Sequence, residues 1–475
     1  MQGARIHLLI PGGYHMDRRQ LGKLSLPVLL MLSVLALPRP DGLSYEGQAM
    51  FAVLAFSIPM FLLQPIPLGL VGVLVMVLPL ILGAADVGST FSAFGNPAVF
   101  FLIGAFMISA AMEKTPLHRR ISLLFLRTAG SSPRMLVLFT MLSGAFLSFL
   151  MPEHGVIVLL VPIITYVAAS IGLVPLRSNL GKGMLIGAAY GCTIGSLGTP
   201  LGGARNPLTI GFLISRGIEV NFLRWMELSL PLVLLSILLV WGMLVLIFPP
   251  EMKRIKTIPQ VLEDELGGLP PVTGRNLLVS LTLLLIIASF IILPSLFGVD
   301  LTLIALIGGV AIFLVGGMRW EDVESRIPWG IILLYGGAIT LGVHLIESGG
   351  ASFLADRIVD ITGGSPFLSI LLVVILTKLL TEFMSNTAAV SVLLPIGSAV
   401  FLAAGLPVEM GAMLVGLSGG LAFMFLISTP GNLISFTSGY FSQKDLLKAG
   451  LLVNLVTIAA VFLTAYTYWK LIGVW

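Results

Sequence analysis

The residues best suited to chemistry form a polar cluster in an otherwise apolar stretch, Thr381-Glu-Phe-Met-Ser385-Asn386-Thr387. Asn and Thr oxygens suit an alkali cation, because they offer dipoles without the cost of a buried charge. At the start of a half-helix, hydroxyl, amide and backbone N–H groups can also hold carboxylate oxygens. The structural alternative is a helix N-cap that only satisfies backbone donors. A second interruption, Ser428-Thr-Pro-Gly-Asn432, favours the binding interpretation.

Two ionisable residues, Glu153 and His154, interrupt another apolar stretch. Histidine titrates near physiological pH and can give a dianion a cationic partner. Glu153 can either ligate sodium or carry a proton. Both residues would simply be hydrated if this part of the chain reached the headgroups at the cytoplasmic surface. An ionisable residue placed within a membrane is costly and usually functional, so we expect the pair to take part in function.

Three further charged residues lie close to these stretches in sequence. Arg205 follows Thr199 by six positions. It can face the site and attract anions, pair with Glu153 and cancel its charge, or extend toward the membrane surface. Lys378 and Glu382 are four residues apart, which predicts a pair on one helix.

The composition indicates which kind of molecule holds these residues. Of 475 residues, 57% are hydrophobic and only 10% are charged, with a mean hydropathy of +1.06. Soluble domains carry about 25% charged residues, so an ordinary water-facing surface is excluded. Apolar spans of about 20 residues predict a multi-pass membrane protein within a lipid bilayer. The net charge of +4 gives no indication of a nucleic-acid partner, and the single Cys192 excludes an internal disulfide.

The basic residues predict the orientation in the plasma (inner) membrane. Arg5, Arg18, Arg19 and Lys23 precede the first apolar run, and later clusters lie at 119–134 and 253–275. Placing all three in the cytoplasm gives about eleven crossings, with a cytoplasmic N-terminus and an external C-terminus at Trp475.

We predict an all-α fold with two re-entrant hairpins, and these divisions of the chain. They are 1–45, the N-terminus and first helix; 46–250, a first half with a hairpin at 134–170 and a broken helix at 182–215; 251–275, a cytoplasmic loop; and 276–475, a second half with a hairpin at 367–404 and a broken helix at 410–440. Broken backbone is tolerated at membrane depth only where it is buried or lines a cavity.

The chain also resembles itself. The stretch from Met151 to Pro162 aligns with the stretch from Met384 to Pro395, and Gly198-Thr-Pro200 aligns with Ser428-Thr-Pro430. An odd number of crossings between the halves would invert one against the other. Inverted repeats with broken helices at matching positions indicate a transporter whose site lies at the midplane.

These residues carry a resemblance to a known family. Ser385-Asn386-Thr387, the two Thr-Pro breaks and the closing stretch from Phe441 to Gly450 resemble the divalent anion/sodium symporters, over nearly all of the chain. The resemblance implies an eleven-helix protomer that forms a homodimer, with a scaffold and a transport domain that moves like an elevator. It also implies a substrate such as succinate, malate, fumarate, citrate or sulfate. Sodium would be the coupling ion, and no cofactor would be needed.

The resemblance also implies roles for individual residues. One sodium site would use Thr381, Asn386 and backbone near Ser428. The other would use Ser148, Glu153 and backbone near Gly198. Substrate would lie between the hairpin tips, and its predicted contacts come from both halves: Ser385, Asn386, Thr387, Thr429 and Pro430, facing Glu153, His154, Thr199 and Pro200.

The sequence departs from the family pattern at the first hairpin, where Pro152-Glu153-His154 stands in place of a second Ser-Asn-Thr. Coupling to sodium, coupling to protons and exchange of one dicarboxylate for another therefore all remain open. Sodium is favoured because the second cluster is intact.

Other classes of function have little support in the sequence. An intramembrane enzyme has little support, since the chain has no His-Glu-x-x-His and no Gly-x-x-x-x-Gly-Lys loop. A channel is disfavoured because neither a ring of charges nor a filter-like repeat is present. We therefore predict a secondary active transporter of small dianions.

Replacing Glu153 with Gln distinguishes the possible roles of this residue. If Glu153 couples transport to protons, Glu153→Gln should abolish the pH dependence of uptake while sparing binding. If Glu153 ligates sodium, the same change should weaken the sodium dependence. Uptake into proteoliposomes under separate pH and sodium gradients measures both, and unchanged behaviour in both assays would contradict either role.

Overall fold

A computed structural model describes residues 18–269, 271 and 274–475. Within these ranges the regular structure is helical, without strands, which confirms the predicted all-α class. Arg5 of the predicted cytoplasmic N-terminus lies outside the described residues, and so do the side chains of Arg18 and Arg19.

The described helices of the first half begin at Arg18 and end at Ile247. They are α1 (Arg18–Ala36), α2 (Tyr45–Leu63), α3 (Leu68–Ile81), α4 (Val87–Phe94), α5 (Pro97–Lys114), α6 (Leu117–Thr128), α7 (Pro133–Leu147), α8 (Glu153–Ser170), α9 (Asn179–Gly195), α10 (Arg205–Ile214) and α11 (Phe222–Ile247).

The helices that follow complete the described chain. They are α12 (Ile258–Gly268), α13 (Gly274–Phe297), α14 (Leu301–Leu314), α15 (Trp320–Arg326), α16 (Trp329–Glu347), α17 (Gly350–Thr362), α18 (Pro366–Phe383), α19 (Asn386–Ala403), α20 (Val408–Ser418), α21 (Pro430–Phe436), α22 (Gln443–Leu463) and, after a π-helical turn at Thr464–Tyr468, α23 (Trp469–Leu471).

Many of these helices are long enough to cross a membrane. Among the described residues, nine stretches meet the length and the apolar composition that a crossing needs. They comprise α2, α4 with α5, α8, α11, α13, α16, α18, α19, and α22 with its continuation to Leu471. The chain is therefore a multi-pass membrane protein, whereas the number eleven and the orientation of the termini stay predictions.

Two helical hairpins and two broken helices dominate the architecture. Hairpin A consists of α7 and α8, and hairpin B consists of α18 and α19. Each hairpin begins alike, with a serine N-cap followed by proline at the first helical position: Ser132-Pro133 and Ser365-Pro366. Break A is the loop 196–204 between α9 and α10, and break B is the loop 419–429 between α20 and α21.

The halves pack against each other reciprocally. Helix α3 packs on α16 as α14 packs on α5, and α4 packs on α16 as α15 packs on α5. Helix α10 packs on α19 and α20 of hairpin B and its broken helix, while α21 packs on α8 and α9 of hairpin A and its broken helix. Each break therefore lies between its own hairpin and the hairpin of the other half.

Small residues permit the closest of these approaches. A side chain at Gly72 would meet the backbone of Leu333 and Leu334 in α16, and one at Gly104 would meet the backbone of Ala305 in α14. In lipid, where water does not drive helices together, close backbone packing is the main source of attraction between them.

A polar helix accompanies the predicted cytoplasmic loop. The loop 251–275 contains α12, whose carboxylates pair with the basic helix α6 through Arg119–Glu265 at 2.6 Å and Arg127–Glu263 at 3.0 Å. These ion pairs place α6 and α12 on the same side of the protein, as the charge pattern predicted for the two basic clusters.

Helix α9 should tolerate no side chain at Gly191. A Cβ there would lie 2.6 Å from the Cα of Met141, so Gly191→Ala forces α7 and α9 apart at a cost of about 1–3 kcal/mol. We expect a lower unfolding temperature for the purified protein in detergent. The matched control is Gly242→Ala in α11, where nothing lies within 4 Å. Equal unfolding temperatures for the two variants would contradict this packing.

Candidate functional site at the hairpin tips

The tip of hairpin B places three oxygens together. Ser385 caps α19, because its Oγ accepts a hydrogen bond from Ala388 N at 3.3 Å. Asn386, the next residue, is buried, and its Oδ1 accepts a hydrogen bond from Thr381 Oγ1 at 2.8 Å. The same threonine oxygen lies 2.7 Å from the carbonyl oxygen of Gly419, at the start of break B. Neutral oxygens gathered in this way suit a hard monovalent cation.

The backbone carbonyl that lies beside Thr381 is not one of those near Ser428, where the sequence had suggested it. The sequence placed the backbone contribution near Ser428, whereas the structure brings Gly419 to Thr381. Ser428 turns to its own loop instead, since its Oγ donates to Phe425 O at 2.6 Å. Gly419 lies at the other end of break B from Ser428, and the repeat alignment contained no signal for it.

The tip of hairpin A carries charge in the equivalent place. Glu153 begins α8 as Asn386 begins α19, and its backbone N–H donates to Gly202 O of break A at 3.0 Å. The Oε2 of Glu153 lies 2.6 Å from Ser196 Oγ, and its Oε1 lies 3.5 Å from Arg205 Nη1. Arg205 Nη2 donates to the same Ser196 oxygen at 2.5 Å. Glu153, Ser196 and Arg205 thus form one connected cluster.

Arg205 is enclosed rather than extended toward the membrane surface. Its side chain is 2% exposed and lies against Gly203 of break A and Gly420 of break B. A Cβ on Gly203 would lie 2.7 Å from Arg205 Nη1, and one on Gly420 would collide with the guanidinium. Of the three roles that the sequence left open for Arg205, the structure therefore shows the pairing with Glu153.

Break A is held by hydrogen bonds of its own Thr199 and of side chains from α10 and α11. Asn206 Nδ2 donates to the carbonyl oxygens of Ser196 and Thr199, both at 2.7 Å, while its Oδ1 has no hydrogen-bond partner among the described residues. Thr199 Oγ1 donates to Phe149 O at 2.7 Å, which ties the break to hairpin A. Ser229 Oγ lies 3.3 Å from Gly198 O. Thr199 and Gly198 therefore have structural partners within the protein.

Two other predicted residues of this half are enclosed. Ser148 ends α7 and is fully buried, with its carbonyl beside Gly202. Pro200 is also buried, within break A. Ser148 is close to break A, as the predicted sodium site requires, but among the described residues its Oγ forms no hydrogen bond with the Glu153 carboxylate.

In break B, Thr429 caps the short helix α21. Its Oγ1 accepts a hydrogen bond from Asn432 N at 3.2 Å, and Pro430 takes the first helical position, where it is exposed. Asn432 Nδ2 donates to Phe425 O at 3.0 Å, and in the part of the chain that the structure describes its Oδ1 has no hydrogen-bond partner. Asn206 and Asn432 thus perform the same task in the two halves, a role that the sequence did not reveal.

The two tips present accessible side chains beside the buried ones. His154, Ser385 and Thr387 are half-buried, whereas Glu153 and Asn386 turn inward. Among the described residues, His154 and Thr387 have no side-chain hydrogen-bond partner. Together with the exposed Pro430, these three residues are the predicted substrate contacts whose side chains are not fully enclosed.

Lys378 and Glu382 behave differently from the predicted helical pair. In the described part of the chain they bind break B rather than each other. Lys378 Nζ donates to Leu421 O at 2.5 Å and to Thr457 Oγ1 at 2.9 Å. Glu382 accepts from the backbone N–H groups of Phe423 at 2.7 Å and Met424 at 2.9 Å, and from Asn454 at 2.5 Å. A spacing of four residues on one helix cannot reveal that both side chains bind backbone groups of a loop distant in the sequence.

Comparisons with known proteins agree with this architecture. The sequence profile described as the sodium:sulfate symporter transmembrane region matches residues 18–475. The chain is 28% identical to an uncharacterized transporter of Haemophilus influenzae, over 88% of this chain and 91% of that protein. It is 27% identical to the sodium-dependent dicarboxylate transporter SdcS of Staphylococcus saprophyticus, over 94% of this chain and 91% of that protein.

Two solved structures share the fold. The YdaH transporter of Alcanivorax borkumensis superposes with a TM-score of 0.56 and 17% identity, over 81% of this chain and 87% of that one. MtrF of Neisseria gonorrhoeae superposes with a TM-score of 0.54 and 13% identity, over 94% of both chains. At such identities the likeness concerns the fold alone.

Replacing Glu382 with Gln should loosen break B. One buried carboxylate oxygen becomes an NH₂ group that must face an N–H donor, and hydrogen bonds to a charged group are worth about 1.5–3 kcal/mol. Because about 1.4 kcal/mol is a factor of ten, we expect Ser428→Cys, buried in this loop, to react with maleimide at least tenfold faster. The background is Cys192→Ser.

The matched control is Glu321→Gln, which changes an exposed carboxylate on α15. It should leave the labelling rate of the same reporter unchanged. An unchanged rate in the Glu382→Gln protein would show that the carboxylate does not hold the loop.

Proposed function

The chain belongs to the divalent anion/sodium symporter family, and from this premise we propose that it carries a small dicarboxylate across the membrane together with sodium. Members of this family are transporters, not enzymes. The observation that carries the proposal is the oxygen cluster of Thr381, Asn386 and Gly419 at hairpin B. Relatives named as sodium-dependent dicarboxylate transporters, which align with 94% of this chain, support the same cargo and ion.

Hairpin B is the proposed sodium site because its oxygens carry no net charge. Thr381 Oγ1, Asn386 Oδ1 and Gly419 O converge from a helix end, a helix start and a loop, so only the folded hairpin assembles them. A sodium ion would replace the hydrogen bonding that the single hydroxyl proton of Thr381 provides between these oxygens. Removal of the ion leaves a neutral, hydrogen-bonded cluster, which makes reversible binding inexpensive.

The substrate is proposed to lie beside the two tips. Helices α8 and α19 both begin there, and helix N-termini favour anions through their unpaired N–H groups and dipoles. Ser385 and Thr387 offer hydroxyls, and His154 offers an imidazole that is neutral or cationic. Two helix starts from opposite halves match the two carboxylates of succinate, malate or fumarate.

Alternating access would then move the hairpins relative to the remaining helices, as in an elevator. The reciprocal packing of the two halves supports this mechanism. If the two halves exchange their conformations, a site that was open to one side of the membrane becomes open to the other side. A homodimer with α13 and α14 in its scaffold fits this proposal, since α13 is the least enclosed of the long apolar helices.

Sulfate is the second candidate substrate, since the description of the matching family profile names a sodium:sulfate symporter. It shares the double negative charge but is smaller than a dicarboxylate. Citrate would need a wider space between the tips. Coupling to protons, or dicarboxylate exchange through Glu153 and His154, is less favoured, because Glu153 already has a counter-ion in Arg205.

Replacing Thr381 with Val should selectively remove the sodium dependence of transport. The change keeps the shape of the side chain but deletes an oxygen at the proposed ion site. We expect at least a tenfold rise in the half-saturating sodium concentration for uptake of labelled succinate, corresponding to about 1.5–3 kcal/mol for one interaction with a charged group. Uptake into proteoliposomes at a series of sodium concentrations measures it.

The control lies one turn away on the same helix. Thr377 donates only to Val373 O within α18, so Thr377→Val should leave the sodium dependence unchanged. The proposal fails if Thr381→Val keeps the native sodium dependence. It also fails if wild-type protein accumulates none of succinate, malate, citrate or sulfate under a sodium gradient.

A further inference from the structure

The two tips differ in how they compensate charge. Glu153 and Asn386 hold equivalent positions, and each tip reaches the start of a break: Glu153 contacts Ser196, while Asn386 is joined through Thr381 to Gly419. At hairpin B the oxygens are neutral and bond only to one another. At hairpin A the carboxylate of Glu153 is accompanied by the guanidinium of Arg205.

We propose that Arg205 is a tethered cation, whose guanidinium takes at hairpin A the place that a sodium ion takes at hairpin B. The transporter then binds one exchangeable sodium at its hairpin tips rather than two. This inference rests on the proposed function for the sodium at hairpin B, and extends it to the number of ions that the tips bind.

Burial and charge support this assignment. Glu153 is 7% exposed and Arg205 is 2% exposed, so neither charge is compensated by bulk water. A single charge within the membrane is costly, which is why such residues pair with one another. The guanidinium contacts Glu153 through Nη1 and Ser196 through Nη2. The pair is therefore neutral without any ion from solution.

The fit around the guanidinium shows that it is a permanent occupant. Within the described part of the chain Arg205 Nε has no hydrogen-bond acceptor, and it lies against Gly420, where a Cβ would collide with it. Gly203 is equally close on the other side. Glycines from both breaks thus leave room for this side chain.

Removing the positive charge should reveal the hidden site. In Arg205→Gln the side chain keeps most of its length, but Glu153 Oε1 loses its counter-ion. The freed carboxylate and Ser196 Oγ then offer a charged and a neutral oxygen to a sodium ion. Arg205→Lys keeps a cation in place and should create no such site.

Equilibrium binding of radioactive sodium to the purified, full-length protein tests the proposal without any transport assay. At sodium concentrations that fill the wild-type site but not the weakened site of Thr381→Val, we expect one sodium per protomer at the tips in wild type and none in Thr381→Val. We expect one in Thr381→Val/Arg205→Gln and none in Thr381→Val/Arg205→Lys. Adding Glu153→Gln to the Arg205→Gln double variant should abolish the regained sodium.

Three results would overturn the tethered cation. One is a wild type that binds two sodium ions, one of which is lost in Glu153→Gln. Another is a Thr381→Val/Arg205→Gln protein that elutes as a single folded species and binds no sodium. The third is equal binding by the Gln and Lys variants. If Arg205→Gln does not fold, the wild-type count and its response to Glu153→Gln still decide the matter.

Failure of the sodium site at hairpin B has a different signature. In that case wild type binds no sodium, or Thr381→Val leaves its binding intact with Glu153 not involved. A sodium ion gained on Arg205→Gln over Arg205→Lys would then still support the tethered cation. The two proposals are thus judged by separate variants.

Discussion

Two helices are interrupted inside this membrane protein, and every backbone group freed by the interruptions must find a partner in the protein. Lipid supplies no hydrogen bonds, so an unpaired N–H or C=O at that depth would cost several kcal/mol. The structure meets this constraint with side chains. Trp225 and Asn206 bond carbonyls of break A, while Lys378 and Tyr190 bond carbonyls of break B. Glu382 accepts two of the N–H groups in break B.

This constraint explains why polar residues occur where they do in so apolar a chain. Helix α11 bonds break A directly, through Trp225 and Ser229. Helix α22 supports break B indirectly, because its Asn454 and Thr457 bond Glu382 and Lys378. Both helices follow the broken helix of their own half. Tyr190 of the first half also bonds a carbonyl of break B, so part of the support of break B depends on the assembly of the two halves.

Within this shared frame the two halves have diverged in charge. Hairpin B keeps an uncharged oxygen cluster that can gain or lose a cation at little cost. Hairpin A fixes a carboxylate and a guanidinium together, and Ser196 joins them. In the proposed mechanism, the same hairpin geometry binds a reversible sodium ion at one tip and holds a permanent ion pair at the other. The accessible residues His154, Ser385 and Thr387 lie next to these buried ones in the chain.

The sequence by itself determined the membrane-protein class and the all-α fold, because hydropathy and helix signals such as proline and N-cap residues act locally. It also predicted the internal repeat, the two hairpins and the two broken helices. It also identified Thr381, Asn386, Glu153 and Arg205 as residues of interest. It could not choose among the three roles of Arg205, nor find the carbonyl of Gly419, nor assign Lys378 and Glu382 to break B. Those contacts join residues far apart in the chain, and only the packing of the two halves brings them within hydrogen-bonding distance.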